Sequence, residues 1–339
     1  VLTHEPEHAA TTTALEGLIE RGEQEVLAAE VLVPIYRDSQ QWEKLIHIYR
    51  LLIGATDDVE RRLELYNEIA TTYEHRLADP ASAFETYAQA LEVLPSRVAT
   101  LDTLERLASM LDGWEILVEI LDAQLAELSD YDAVRTLNLR IARIQEEELS
   151  QPDDAIDRFK RVQEIEPDDE TAILALDRLY QRQGYWEELA EILRARLLNA
   201  SDAELLQLRL RLGGVYQEAL DDATQALETY QSILLEDPEN PLAIERLEQM
   251  FMSGQAVTRV ASILEPYYSA RNEHEKLISI YIQRLELLDD SREIYDVWML
   301  IAHIFLNELE DQQSAIGAYG KALEQQPDEQ HIVDELMRL

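Results

Sequence analysis

Residues 81–95 read ASAFETYAQALEVLP, and the same outline returns as DDAIDRFKRVQEIEP (153–167), ATQALETYQSILLEDP (223–238) and QSAIGAYGKALEQQP (313–327). In the first stretch Ala83, Phe84, Tyr87, Ala90, Leu91 and Leu94 recur at three- and four-residue steps, which is one face of a 3.6-residue helix. Pro95 then stops it, because proline lacks an N–H and pushes the residue before it away from helical backbone. Just upstream, Leu63, Tyr66, Ile69, Ala70, Tyr73 and Leu77 form a like face. The unit is therefore a pair of amphipathic helices. Neither can bury its apolar face alone, so neighbouring pairs must stack.

Pro95, Pro167, Pro238 and Pro327 are 72, 71 and 89 residues apart. Trp42, Trp114 and Trp186 are 72 apart, opening WEKLIHIY, WEILVEIL and WEELAEIL. The whole step from Pro95 to Pro327 is itself a period, a super-period: 34–95 aligns with 266–327 without a gap, with 21 identities in 62 positions. The longest of the three proline steps leaves room for one extra helix, NPLAIERLEQMF (240–251), which matches TTTALEGLI (11–19) one super-period earlier. Gly54, Asp79-Pro80, Asp112-Gly113, Gln151-Pro152, Gly184, Asp237-Pro238 and Gly254 mark breaks. The pattern predicts about 19 helices with short connections.

Composition agrees. The chain has 339 residues but only 10 glycines and 10 prolines, too few for the turns of a β-rich or Rossmann-like fold. Apolar residues make up 46%, so the formal charge of −40 does not imply disorder. That charge repels phosphate, and the bases are scattered singly or in pairs such as Arg61-Arg62, so the expectation is no nucleic-acid partner and no insertion in a membrane, with an anionic membrane surface disfavoured. No window is apolar enough to span a bilayer. The opening VLTHEPEHAATTT lacks a signal-peptide pattern and an initiator Met, so the expectation is a cytoplasmic chain cut from a longer protein. With no cysteine, disulfides and thiolate chemistry are absent.

Four units resemble tetratricopeptide repeats (TPR). That family's second helix carries small–aromatic–small–proline positions, met here as Ala83, Tyr87, Ala90, Pro95; Ala155, Phe159, Val162, Pro167; Ala226, Tyr230, Ile233, Pro238; and Ala315, Tyr319, Ala322, Pro327. First-helix positions match as Ile69, Ala70, Tyr73 and as Leu212, Gly213, Tyr216; Gln145 departs at the aromatic position. These units carry one extra residue between helices. Alternate units such as 174–193 are degenerate, keeping Tyr180, Gly184 and Trp186 but losing the proline. The whole is similar to long acidic repeat proteins of bacteria. The resemblance implies an all-α, right-handed α-solenoid over 1–339 as a single continuous array, with a groove lined by first helices. It places Asn67, Thr71, Arg140, Arg143, Arg211, Met299, His303 and Asn307 in that groove, along with Glu64, Glu74, Thr136, Glu147, Gln207, Gly214, Glu218 and Asp296. The lysine–asparagine set with which some members clamp a peptide carboxylate is absent. Arg140, Arg143 and Arg211 are the one candidate cluster for an acidic group, against the plainer reading that they pair with neighbouring acids.

Catalytic signals are weak. HEPEH (4–8) has zinc-protease spacing, but Pro6 leaves His4 outside any helix that would hold His8. GAYGKA (317–322) lacks phosphate-loop spacing and lies inside the repeat signature. Trp42, Trp114 and Trp186 read as core wedges, and His274 takes Trp42's slot one super-period later. Pro34 and Pro266 fall inside helical runs and are expected to kink them. Ile332, Val333, Leu336 and Met337 have no following helix to cover them. The expected protein is not an enzyme and holds no metal or cofactor. It is a scaffold for partner proteins or peptides, with partners bearing basic patches. The alternative is a structural spacer or an array that self-associates through its ends.

Overall fold

The structure, a computed structural model, describes residues 9–338. Among the described residues there are nineteen α-helices and no strand. HEPEH (4–8) lies outside them. The chain divides into two compact units, the first ending at Leu179 and the second beginning at Tyr180.

The first unit holds α1 (Ala9–Glu20), α2 (Glu25–Asp38), α3 (Trp42–Gly54), α4 (Val59–His75), α5 (Pro80–Val93), α6 (Val98–Leu111), α7 (Trp114–Glu127), α8 (Tyr131–Glu147) and α9 (Pro152–Ile165). The division falls within α10 (Glu170–Gln183). The second unit holds α11 (Trp186–Asn199), α12 (Asp202–Gly214), α13 (Ala223–Glu236), α14 (Pro241–Met252), α15 (Val257–Arg271), α16 (His274–Leu285), α17 (Ser291–His303), α18 (Gln312–Gln325) and α19 (Gln330–Arg338). Helices α12 and α17 run on into wider π-type turns, Val215–Ala219 and Ile304–Glu308. The starts of α14 to α19 each fall one super-period after those of α1 to α6. Within each unit helices pack mainly on their neighbours in sequence, because short connections fold each one back on the last.

The repeat prolines act one residue before themselves. Leu94, Glu166, Asp237 and Gln326 each precede a proline and leave helical backbone, with ψ of 90°, 91°, 88° and 86°. At the other end Pro80, Pro152 and Pro241 open their helices, where a missing N–H costs nothing. Asp58, Asp79, Asp130, Asp222, Asn240, Asp290 and Asp311 cap helix starts, each accepting from a backbone N–H of the first turn.

The extra residue between paired helices has a definite job. Ala78, Ser150, Asp221 and Glu310 take left-handed backbone, with φ of 53°, 54°, 51° and 53°. Each turn is closed by the next residue, whose N–H donates six residues back: Asp79 to Tyr73 at 2.9 Å, Gln151 to Gln145 at 2.7 Å, Asp222 to Tyr216 and Asp311 to Phe305 at 2.8 Å. This is the left-handed helix stop in which glycine is usual, here at a cost of about 1 kcal/mol per non-glycine residue.

Between paired helices a small residue meets an aromatic one. Ala70 and Tyr87 share one core with Phe84, Leu101, Leu104 and Ile141. At the corresponding place in the third of the four repeats, Gly213 sits so close to Tyr230 that a Cβ there would lie 2.4 Å from the ring. Trp42, Trp114 and Trp186 are not core residues. All three are half-buried first residues of α3, α7 and α11, with Trp42 and Trp114 packed on the rims of cores and Trp186 against Gly184. His274 opens α16 in the same manner, 3.8 Å from Glu308. Pro34 and Pro266 lie inside unbroken α2 and α15. In α19, Ile332 is buried rather than uncovered, while Met337 is exposed.

Gly213→Ala forces Tyr230 aside and weakens its 3.0 Å bond with Gln217. Urea denaturation should report a loss of about 1–3 kcal/mol; a neutral result would show that the close approach is not a packing constraint.

Candidate interaction clefts

Two open clefts lie between successive first helices, one in each unit. In the first unit Thr136, Arg140, Arg143 and Glu147 of α8 face Leu174 and Arg178 of α10 across about 620 Å³. In the second unit Gln207 and Arg211 of α12 face Leu242, Glu245 and Arg246 of α14 across about 710 Å³, with Arg196 at the edge. The structure thus sets four of the sequence-mapped positions in one cleft and two in the other.

Of the remaining positions, Glu64, Asn67, Thr71 and Glu74 lie on α4, Gly214 ends α12, and Asp296, Met299 and His303 lie on α17, whereas Glu218 and Asn307 fall in the wider turns that follow α12 and α17. Asn67 is half-buried on α4 and Thr71 is exposed, its hydroxyl donating to the Asn67 carbonyl at 2.7 Å. That bond back into the helix satisfies the hydroxyl locally. Met299 is half-buried on α17. His303 and Asn307 are exposed and bonded to one another, Nδ1 to Nδ2, at 2.9 Å.

The three arginines have partners. Arg140 binds Asp102 at 2.7 Å and Glu105 at 2.6 Å, and Arg143 binds the other oxygen of Glu105. Both partners belong to α6. Arg211, in the second unit, donates to Gln181. The plainer reading of these side chains therefore describes Arg140 and Arg143. Their pairs belong to a series in which a base on one first helix reaches an acid on the preceding one. Arg106 of α6 binds Glu74 of α4 at 2.8 Å, and Arg178 of α10 binds Glu146 of α8 at 2.6 Å. In the second unit Arg246 of α14 binds Glu218, on the turn after α12, at 2.9 Å. The arginine was visible in sequence, but its acceptor was not. The signal available was an acid about one helix pair upstream.

One further carboxylate stands just before α10. Asp169 is buried, accepts from the Ala172 N–H at 2.8 Å to start α10, and pairs with Arg135 of α8. A buried charge is tolerated there because both oxygens are engaged. Among the described residues no group of three or more His, Asp or Glu is arranged to hold a metal ion. No described helix is long and apolar enough to cross a membrane.

Residues 172–206 and 207–240 each match a family model of the tetratricopeptide repeat. The chain is a TPR-like helical repeat protein. The first match falls on a unit that had lost its terminal proline, so that degenerate unit is TPR-like too. No curated protein matches it. Among solved structures, that of Naa15/Naa10 bound to HypK-THB aligns over 99% of the repeat protein at 14% identity with a TM-score of 0.37. The repeat protein spans only 58% of that chain. A tetratricopeptide repeat protein of Parabacteroides merdae aligns over 81% at 15% identity and TM-score 0.33, covering 97% of that structure. The C-terminal part of a TPR protein of Cytophaga hutchinsonii aligns over 81% at 11% identity and TM-score 0.34, covering 99% of it. Likeness at this level carries no argument about partners.

Arg106 holds the Glu74 carboxyl below its ordinary value near 4.5. A carboxyl lowered in the folded state stabilises above its unfolded pKa, and that contribution is lost as pH falls through the folded value. Thermal melts between about pH 5 and about pH 3 should therefore show a declining midpoint, with a shallower decline in Arg106→Ala; identical slopes would remove this pair from the acid sensitivity.

Proposed function

We propose that this protein is a non-enzymatic scaffold that binds partner proteins or peptides in the clefts between its first helices, and that those partners bring basic surfaces. The observation that carries the reading is the engagement of Arg140 and Arg143 by Asp102 and Glu105. With those guanidinium groups already paired, an incoming chain meets the carboxylates left over from a formal charge of −40. A partner with lysines or arginines gains from that field. An acidic partner must first displace an intramolecular carboxylate.

Helix-pair repeats suit this task because each pair adds a further stretch of surface without disturbing the others. The recurrence of six helix starts after one super-period supports reading the chain as one repeat array. The same recurrence favours a second reading, a structural spacer that assembles with itself. Light scattering separates the two: a mass that rises with concentration belongs to the spacer, and a constant monomer mass to the scaffold.

Calorimetry with an oligolysine and an oligoglutamate peptide of equal length tests the charge. The expected result is binding of oligolysine alone, weakening steeply as salt rises. Equal binding of both peptides, or salt-independent binding, would overturn the reading.

A further inference from the structure

A second kind of cleft occupies the same place in both copies of the super-repeat. One, of about 420 Å³, opens among α1, α2 and α3; the other, of about 200 Å³, opens among α14, α15 and α16. Each contains one three-residue clasp. In the first, the Tyr36 hydroxyl donates to Glu16 Oε1 at 2.6 Å, and Lys44 Nζ donates to the same oxygen at 2.8 Å. Lys44 also lies 5.4 Å from the centre of the Tyr36 ring. In the second, Tyr268 donates to Glu248 Oε1, Lys276 Nζ donates to that oxygen at 2.8 Å, and Lys276 lies 5.0 Å from the Tyr268 ring. Glu16, Tyr36 and Lys44 stand one super-period before Glu248, Tyr268 and Lys276.

The clasp ties three consecutive helices together and consumes its own charge, since Lys44 and Tyr36 hold the Glu16 carboxyl in its ionised form. Apolar side chains line each cleft: half-buried Ile19 over buried Leu32 and Ile48 in the first, and exposed Met252 over buried Phe251, Leu264 and Ile280 in the second. The rims differ. The first carries exposed Glu20, Glu43 and His47, and neither glutamate forms an ion pair among the described residues. In the second, Met252 and Ser279 replace Glu20 and His47, and Glu275, the counterpart of Glu43, does not line the cleft.

We infer that the α1–α3 cleft is a docking site for a partner segment in which a leucine-sized apolar side chain stands beside a lysine or arginine. The apolar group packs on Ile19 and the clasp, and the base meets Glu20 and Glu43. The α14–α16 cleft, with Met252 at its rim, takes the apolar group without the demand for a flanking base. The pair is thus one site made twice and given two selectivities. The inference rests on the basic-partner reading and adds a location and a sequence preference to it.

The test uses the full chain with labelled isoleucine methyl groups and two probes, the capped peptides Gly-Lys-Leu-Lys-Gly and Gly-Glu-Leu-Glu-Gly. The lysine peptide should shift the Ile19 and Ile48 methyl signals saturably, and the glutamate peptide should leave them unmoved. The double variant Glu20→Gln/Glu43→Gln, altered only at exposed rim positions, should weaken the lysine peptide about five-fold at these signals. It should leave the Ile280 signal of the other cleft responding as before. Calorimetric binding with Ile19 and Ile48 silent, or binding insensitive to the double variant, overturns the assignment and leaves the basic-partner reading standing. No heat from either this peptide or oligolysine overturns both.

Discussion

The contact on which the fold depends is that of a small residue on one helix with an aromatic ring on the next. Ala70, Ala142, Gly213 and Ala302 are buried on first helices, and Tyr87, Phe159, Tyr230 and Tyr319 are buried on the second helices that follow. A small side chain lets two helix backbones approach. The ring then fills the space beside it and contributes about 2 kcal/mol of burial. Gly213 shows how tight this is, since even a methyl group would strike Tyr230. The pairing sets the turn that joins the helices. It is closed each time by a left-handed residue and by a bond running six residues back to an aromatic position, or to its Gln145 substitute.

Much of this could be read before any coordinates. The prolines named the ends of the second helices, and the alanine–aromatic spacing named their buried faces. The single extra residue between helices was visible too, but its conformation was not. Ala78, Ser150, Asp221 and Glu310 have little in common as side chains, and none is the glycine that a left-handed helix stop favours. What they share is a place in a turn closed by backbone bonds. The tryptophans misled for a different reason. Their regular recurrence marks a repeated environment, and the environment is the first turn of a helix at the edge of a core, not its middle.

Polar partners were the least legible feature. Arg140 and Arg143 stand out in an acidic chain, yet their acceptor Glu105 lies 35 and 38 residues upstream on another helix. Nothing in local pattern distinguishes it from the other acids. The clasp was half visible, because the EKLI of 43–46 recurs at 275–278, but the glutamate that Lys44 binds is on a helix two earlier. Such contacts need the stacking order of the helices, which follows from the repeat unit once the unit is known. Their consequence is electrostatic. Arginines that pair between neighbouring first helices steady the stack.

Packing that runs mainly between sequence neighbours makes stability local, and hydrogen exchange tests this most directly. Tyr87→Ala removes one ring from the core shared by α4 to α8. Local stability predicts faster amide exchange in α4 to α6, fading within a few helices and leaving α12 to α18 at the rates of the unaltered protein. Equal acceleration along the whole chain would mean that the protein unfolds as one body, and would contradict the account.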